Sequence, residues 1–250
     1  MRILVINVNT TASMTRATGA QAVAAASSDT EITAATPRFG PASVESIFES
    51  HLAAVGVIDC AQRQAEGHDA VILAGFGELG REALQEMLDI PVIDITEAAA
   101  HVACLLGKSF GVVTTTDRAI PAIEDRLLID GLRSRCVGVR AVERPVLEIG
   151  DDLALTVDEI VRVGSGLIHD EGAEALCLGC AGMAGLSQRV SDVLHVPVVD
   201  GVAAAVRLAE SVHHLGLRTS KIRFYAPSPD KAIAGWRFIP SAGDETSGDG

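Results

Sequence analysis

Short runs of apolar residues alternate along the chain with longer segments whose apolar positions recur at helical spacing. This alternation is typical of βα units that build a parallel sheet, so we expect an α/β fold. The predicted strands are residues 3–7, 31–35, 70–74, 92–95, 111–115, 137–142, 175–179 and 198–200. The predicted helices include residues 43–66, 80–87, 97–106, 121–132, 157–170 and 202–215.

An internal repeat organises these elements. Residues 70–77 resemble residues 175–182, and each copy continues into a short predicted helix and a second strand with a Pro-Val start. The opening strand likewise resembles residues 110–116. Self-similarity of this kind predicts two copies of one structural unit, in which Gly75 and Cys180 are equivalent positions.

The repeat predicts two pseudo-symmetric lobes, each a parallel sheet flanked by helices. The first lobe is expected to comprise residues 1–97, completed by residues 206–238, and the second to comprise residues 98–205. Residues 239–250 are polar and rich in glycine, which predicts a disordered tail. Because ligands bind beyond the carboxyl ends of parallel strands, two facing lobes are expected to enclose a site between them.

Composition narrows the class of protein. The chain has 250 residues, 48% of them hydrophobic and 21% charged, which excludes a disordered protein and leaves room for a core in each lobe. No apolar run approaches the roughly 18 residues that cross a bilayer, and the first strand begins too early for a signal peptide. The net charge of −13, without a basic cluster, makes nucleic acid an unsuitable partner. We expect a soluble cytoplasmic protein with reduced cysteines, which can assemble into a homo-oligomer.

The loops after the predicted strands supply the candidate substrate contacts. Their residues are mostly small or carry hydroxyl groups, so backbone N–H groups can approach an anionic ligand. Thr115 and Thr116 stand where a strand exits, and serve either as β-branched strand residues or as hydrogen-bond donors to substrate. The residues expected to contact a small-molecule substrate are Asn9, Thr10, Phe76, Gly77, Thr115, Thr116, Ala181 and Gly182.

Cys180 is the candidate for proton transfer. It stands at a strand-to-helix turn next to Gly179, where the N-terminus of the following helix can favour a thiolate. The alternative is that Cys180 is a small buried hydrophobic residue. Cys177 lies inside the predicted strand and is expected to be buried.

Two other motifs are incomplete. Residues 75–80 read G-x-G-x-x-G, as in dinucleotide-binding folds, but the equivalent residues 179–182 do not keep the glycines. Cys177 and Cys180 form one C-x-x-C pair without the second pair or the histidines of a zinc site. None of the three lysines suggests a pyridoxal-phosphate Schiff base. We therefore expect no metal and no cofactor.

Several segments resemble the Asp/Glu/hydantoin racemase family, and within it the hydantoin and allantoin racemase branch. The chain opens at residues 2–15 with RILVINVNTTASMT, close to the family's "INPNTS…MT" but with Val8 in place of proline. Further similar segments are residues 110–116, 170–183, 196–205 and 215–221. The resemblance implies two lobes and one cysteine from each lobe facing the substrate carbon. A thiol suits proton transfer because its reference pKa lies near 8.5.

The chain departs from the family in the first lobe. The family pattern is close to "ACFGDPG", whereas this chain reads AGFGELG from Ala74, so that Gly75 replaces the first cysteine. Three hypotheses follow: a racemase with another group or water opposite Cys180, a one-thiol enzyme like arylmalonate decarboxylase, or a binding protein without catalysis. The hydantoin-like flanking segments favour the racemase. Replacing Gly75 with cysteine is then expected to increase racemisation.

Overall fold

The computed structural model describes residues 1–77, 79–229 and 231 of the chain. Within them the strands form two sheets of four parallel strands, in the orders β2-β1-β3-β4 and β6-β5-β7-β8. The strands are β1 (Arg2–Asn7), β2 (Glu31–Ala35), β3 (Ala70–Ala74), β4 (Val92–Asp94), β5 (Phe110–Thr114), β6 (Cys136–Ala141), β7 (Ala175–Leu178) and β8 (Val198–Asp200). All eight predicted strands are confirmed, and the α/β fold with two similar lobes is as expected.

The helices lie between consecutive strands and after the last one. They are α1 (Ala12–Ala25), α2 (Ile47–Gln64), α3 (Arg81–Met87), α4 (Ile95–Leu106), α5 (Ile120–Ile129), α6 (Leu153–His169), α7 (Ser187–Leu194) and α8 (Gly201–His214). Short 3₁₀ helices span Asp117–Ala119, Arg133–Arg135, Val146–Glu148, Ala181–Met183 and Arg223–Tyr225. Helix α1 was not among the helices that the apolar pattern predicted, because its apolar positions are mostly alanines.

The two lobes repeat each other down to their helix caps. Asp94 ends β4 and its Oδ1 accepts the N–H groups of Thr96 and Glu97 at 2.7 and 2.9 Å, which caps α4. Asp200 ends β8 and caps α8 in the same way, with Val202 and Ala203 donating at 2.8 and 3.2 Å. Aspartate is a favoured N-cap because its carboxylate satisfies the unpaired N–H groups of the first turn.

Helices α4 and α8 form a layer that both lobes share. Helix α4 follows the last strand of the first sheet and packs against β7 of the second. Helix α8 follows the last strand of the second sheet and packs against β3 and α1 of the first. One hydrophobic cluster accordingly joins Ile72 of the first sheet to Phe110 and Cys177 of the second through the alanines of both helices. Each lobe also has an outer cluster of its own.

A buried ionic cluster joins the two lobes at α3 and α5. The side chains of Arg126 and Asp130 are each 1% exposed and pair with one another. Arg126 also reaches Glu82 at 2.7 Å, and Arg81 reaches Asp130 at 3.0 Å and Asp94 at 3.0 Å. Burial would lower the pKa of the Arg81 guanidinium, but the surrounding carboxylates raise it above its ordinary value. Both arginines therefore carry a charge that the cluster neutralises.

The chain after α8 returns to the first lobe, where the Thr219 hydroxyl donates to the carbonyl of Ile90 at 2.9 Å. Lys221 Nζ donates to the carbonyls of Gln85 and Glu86 at 2.7 and 2.9 Å. The lobe boundaries at residues 97 and 205 stay a prediction, and the tail at 239–250 lies outside the described residues. No helix in the described ranges has the length and apolar character that a membrane span requires.

Candidate active site

A cleft lies between the lobes at the carboxyl ends of the central strands. Its walls come from the residues that follow β1 and β3 in the first lobe and β5 and β7 in the second. The lining residues are Val8, Asn9, Met14, Val44, Ala74, Gly75, Phe76, Leu79, Thr114, Thr115, Ala119, Val146, Gly179, Cys180 and Ala181. Parallel strands place their carboxyl ends at one edge, so the repeat brings four turns together.

Cys180 lines this cleft from the second lobe, directly after β7. The residue has extended backbone angles and caps the single 3₁₀ turn Ala181–Met183. Its Sγ accepts the N–H of Gly182 at 3.3 Å. Burial raises the pKa of the Cys180 thiol to about 11, against the opposing effect of the Gly182 and Met183 N–H groups. The thiol is therefore neutral at pH 7, since burial outweighs the helix N-terminus that was expected to favour a thiolate.

Gly75 lines the cleft from the first lobe, directly after β3, as the repeat predicts for the equivalent of Cys180. A β-carbon on Gly75 would lie 2.1 Å from Leu79 Cδ1 and 2.6 Å from Val8 Cγ1. Val8 and Leu79 are both buried. The space that a side chain on residue 75 would use is thus filled by aliphatic groups from two neighbouring turns.

Asn9 and the residues around it form the polar part of the first-lobe wall. The buried Asn9 side chain accepts the N–H of Thr11 at 3.0 Å and the Asn7 amide at 2.9 Å. Its own amide nitrogen contacts the Met14 sulphur at 3.3 Å. Sulphur is a weak acceptor, so a substrate oxygen would be a better partner for this amide. Thr115 lines the facing wall of the second lobe.

Four of the residues expected to contact substrate do not line the cleft. Thr10 instead donates its N–H and hydroxyl to the carbonyl of Pro41 at 3.0 and 3.2 Å. Gly77 has φ of 111°, which favours glycine, and its N–H donates to the Thr96 hydroxyl at 2.9 Å. Thr116 Oγ1 is buried without a hydrogen-bond partner. The Gly182 N–H donates to Cys180 Sγ.

Cys180, Gly75, Asn9, Phe76, Thr115 and Ala181 are brought together in the cleft as the sequence predicted. Val44 and Val146, which follow β2 and β6, also line the cleft but were not predicted to do so. Those strands are parallel to the others, so their carboxyl ends meet the same edge and the loops after them were candidates on that ground. Val8 and Leu79 also depart from the family pattern, and their side chains fill the space beside Gly75, which was not predicted.

No group of three or more His, Cys, Asp and Glu side chains that could hold a metal ion occurs among residues 1–77, 79–229 and 231. The five cysteines are all unpaired thiols. Burial raises the pKa of Cys177 well above its ordinary value, as expected for a thiol in the interior of a strand. Cys180 is therefore the thiol whose position suits chemistry in the cleft.

Residues 3–209 match the model of the Asp/Glu/hydantoin racemase family. The chain belongs to this family. The hydantoin racemase of Pseudomonas sp. (strain NS671) is 37% identical over 236 residues, which are 94% of this chain and 95% of the relative. The crystal structure of allantoin racemase from Pseudomonas fluorescens is 54% identical, covers 94% of this chain and 100% of its own, and has a TM-score of 0.92.

These relatives make the chain an enzyme of the isomerase class, a racemase that acts on a small molecule. The crystal structure of arylmalonate decarboxylase is 22% identical over 86% of this chain and 94% of its own, with a TM-score of 0.63. That likeness shows the fold alone.

Proposed function

We propose that this racemase transfers a proton at a carbon next to a carbonyl group of a hydantoin-like or amino-acid-derived substrate. Cys180 is the acid-base group, and no cofactor takes part. The observation that carries the proposal is the position of Cys180, whose thiol lines the cleft between the lobes while Gly182 donates to its sulphur. A location in the cytoplasm and assembly into a homo-oligomer stay predictions of the sequence.

The proton step uses one thiol and one carbonyl. The Cys180 thiol first gives its own proton to solvent. When the substrate C–H bond then breaks, the proton passes to the Cys180 thiolate and the electron pair moves toward the carbonyl oxygen, which becomes an enolate. The thiol then returns a proton to the carbon. Since its pKa lies at about 11, Cys180 holds its proton at rest and acts as a strong base once ionised.

The enolate oxygen needs hydrogen-bond donors that are already in place. The Asn9 amide on the first-lobe wall and the Thr115 hydroxyl on the facing wall are the candidates for this role. Asn9 is held by Asn7 and Thr11, so its amide is oriented before substrate arrives.

The aliphatic groups around Gly75 determine from which face of the substrate carbon a side chain can transfer a proton. A two-base racemase removes the proton on one face and returns one on the other, but Val8 and Leu79 offer no acid-base group opposite Cys180. Proton transfer by a side chain is thus confined to the Cys180 face. Inversion then requires the planar enolate to turn over in the cleft, or to take a proton from water.

The same aliphatic wall favours a second candidate, a one-thiol decarboxylase that acts on a malonate. Here a C–C bond to a carboxylate breaks, carbon dioxide leaves, and Cys180 protonates the resulting carbanion from one face. This reaction needs a single proton donor, as the cleft provides. The identity of 37% to a hydantoin racemase places the racemase first.

The test follows the substrate C–H signal by proton NMR in heavy water together with the optical rotation. A single enantiomer of a 5-substituted hydantoin and of allantoin are the substrates. Wild type should exchange the proton faster than it loses optical activity. Cys180→Ser should lose about 10²- to 10⁴-fold in exchange rate. Cys104→Ser, a thiol on α4 outside the cleft, is the matched control and should behave as wild type.

If Cys180→Ser exchanges the proton as fast as wild type, the proposed acid-base role of Cys180 is wrong. If wild type leaves every hydantoin unexchanged but releases carbon dioxide from a malonate, the decarboxylase replaces the racemase proposal. Circular dichroism of each variant shows that a lost rate is not a lost fold.

A further inference from the structure

Glu45 joins the two lobes across the cleft. Its Oε1 accepts the backbone N–H of Val146 in the second lobe at 3.1 Å and the hydroxyl of Ser43 at 3.2 Å. The neighbours Val44 and Val146 both line the cleft. Glu45 is therefore the carboxylate that fastens one wall of the candidate site to the other.

The segment that carries Glu45 is anchored at both ends. At its start, the Pro41 carbonyl accepts from Thr10, and the Ala42 carbonyl accepts the Thr11 hydroxyl at 2.7 Å. At its end, Ser46 caps α2 by accepting the N–H of Glu49 at 3.3 Å. Between these anchors the segment 41–46, which lies between β2 and α2 in the chain, presents Val44 to the cleft.

The contact on the other side leads to the thiol. Val146 begins the 3₁₀ helix Val146–Glu148, and Ile149 follows it. A β-carbon on Gly182 would lie 3.5 Å from both Ile149 Cγ2 and Cys180 Sγ, so this helix and the Cys180 turn are packed together. The backbone before it is tied to the β5 turn, because Arg144 donates its N–H to the Thr115 carbonyl at 3.1 Å.

We propose that Glu45 is a positioning residue for Cys180, which holds the second-lobe wall at Val146 in place and keeps a carboxylate charge within electrostatic reach of the thiol. This proposal rests on the proposed function, in which Cys180 is the acid-base group. Glu45 acts through Val146 and through its charge, and moves no proton itself.

The charge has a defined effect on the thiol. Among the described residues, the groups that act on Cys180 are the Gly182 and Met183 N–H groups and the Glu45 carboxylate. Burial raises the pKa of Cys180 most, the two N–H groups lower it, and the negative charge of Glu45 raises it further. Glu45 thus helps to keep the thiol protonated when the cleft is empty.

Two variants separate the charge from the hydrogen bond. Glu45→Gln removes the charge but keeps a carbonyl oxygen that can accept the Val146 N–H. Glu45→Ala removes both. Glu148→Gln is the matched control, since it removes an exposed carboxylate from the 3₁₀ helix that begins at Val146.

The first readout is the pH dependence of Cys180 alkylation by iodoacetamide, measured on the Cys180 peptide by mass spectrometry from about pH 6 to about pH 10. The rate in Glu45→Gln should equal that of wild type at a pH lower by about half a unit to one unit. Glu148→Gln should follow wild type. A Glu45→Gln profile that superimposes on wild type, or an equal shift in Glu148→Gln, overturns the proposal.

The second readout is the KM for the hydantoin substrate. Glu45→Gln should keep KM within about twofold of wild type, whereas Glu45→Ala should raise it about 10-fold, because the wall at Val146 is released. Equal KM values in wild type and a folded Glu45→Ala variant overturn the hydrogen-bond role. The alkylation profile needs no turnover, so a shifted profile in a chain that turns over no substrate supports Glu45 and rejects the proposed function.

Discussion

The side chain of Val8 occupies the place of a β-carbon on residue 75, with its two methyl groups 2.6 and 2.7 Å from that position. Leu79 Cδ1 lies closer still, at 2.1 Å. Val8, Gly75 and Leu79 are the three positions where family residues proline, cysteine and proline are replaced, so three separate departures meet at one point of the cleft. Gly75 is part of a packed apolar wall and not an open vacancy.

The first prediction concerns Gly75→Cys, which the sequence alone suggested would increase racemisation. The packing around Gly75 favours the opposite outcome, because a β-carbon on residue 75 would lie 2.1 Å from Leu79 Cδ1 and 2.6 Å from Val8 Cγ1 and would overpack the wall. The single variant should lose about 1 to 3 kcal/mol of unfolding free energy in urea and gain no racemisation. Gly75→Cys combined with Val8→Ala and Leu79→Ala should hold the thiol and raise the rate of loss of optical rotation.

The control for that prediction is the double variant Val8→Ala with Leu79→Ala, which keeps Gly75. It opens the wall without adding a thiol. If this pair racemises hydantoins as fast as the triple variant, water has taken the place of the second base. If the single variant Gly75→Cys has wild-type stability and racemises rapidly, the side chains of Val8 and Leu79 move aside at little cost and the prediction is wrong.

The second prediction concerns Glu210, which is 4% exposed on α8. Burial would raise its pKa, but hydrogen bonds from Thr30, Ser27 and Arg207 together lower it to about 2. A lowered carboxyl pKa stabilises the fold above the unfolded value of about 4.3, and this stability is lost as the pH falls toward 2. Glu210→Gln should therefore cost roughly 2 to 3 kcal/mol at pH 7, and progressively less below pH 4.

Urea unfolding at several pH values measures the Glu210 effect. A difference between Glu210→Gln and wild type that stays constant from neutral pH down to about 3 would mean that the charge does not supply the stability. Ser27 and Thr30 lie in the turn after α1, so the lost stability should appear as looser packing of α8 on the first lobe.

The third prediction concerns the buried ionic cluster. Arg126→Leu leaves Asp130 and Glu82 without one of their cations, and should cost about 3 to 5 kcal/mol of unfolding free energy. Arg126→Leu with Asp130→Leu should recover part of that loss, because the buried charges are then removed together. Arg140→Ala breaks the more exposed pair with Glu171 and should cost less than about 1 kcal/mol. Comparable losses for Arg126→Leu and Arg140→Ala would contradict the prediction.

The fourth prediction is that exchange needs neither a metal nor an organic cofactor, since the proposed step uses the Cys180 thiol and hydrogen-bond donors of the cleft. Dialysis of the purified enzyme against a chelator should leave the exchange rate unchanged, and the absorbance spectrum should contain no visible band. A rate that falls on dialysis and returns with an added divalent cation would refute it.

The central strands β1, β3, β5 and β7 could be predicted from the sequence because they are short, apolar and buried on both faces, whereas β2 is exposed along most of its length. Strands β2, β3 and β8 have the predicted bounds, and β5 differs by one residue at each end. Helix α1 was not predicted because threonine, glycine and alanine form its buried face against α8 and β2, without a pattern of large apolar residues.

The centre of the site could be predicted as well, because a repeat of parallel strands fixes which turns meet. On this ground alone Cys180 and Gly75 were predicted to lie after equivalent strands, and both line the cleft. What the pattern could not supply is the direction of each side chain within its turn. Thr10 and Thr116 follow β1 and β5, as the lining residues do, but do not line the cleft. Val44 and Val146 line it from long loops, and the sequence does not show which residue of a long loop reaches the cleft.

The shared layer of α4 and α8 limits how the cleft can open. Two lobes joined by a hinge open like a clamshell, but here each of these helices is bound to the sheet of the opposite half, and Gly201 at the start of α8 lies against the backbone of Ile95 at the start of α4. Swinging the halves apart would expose the alanine-rich interior, so we expect the chain to unfold as one cooperative unit. The Glu45 carboxylate ties the segment 41–46 to the second lobe beside the cleft, so the two halves are held together on that side as well.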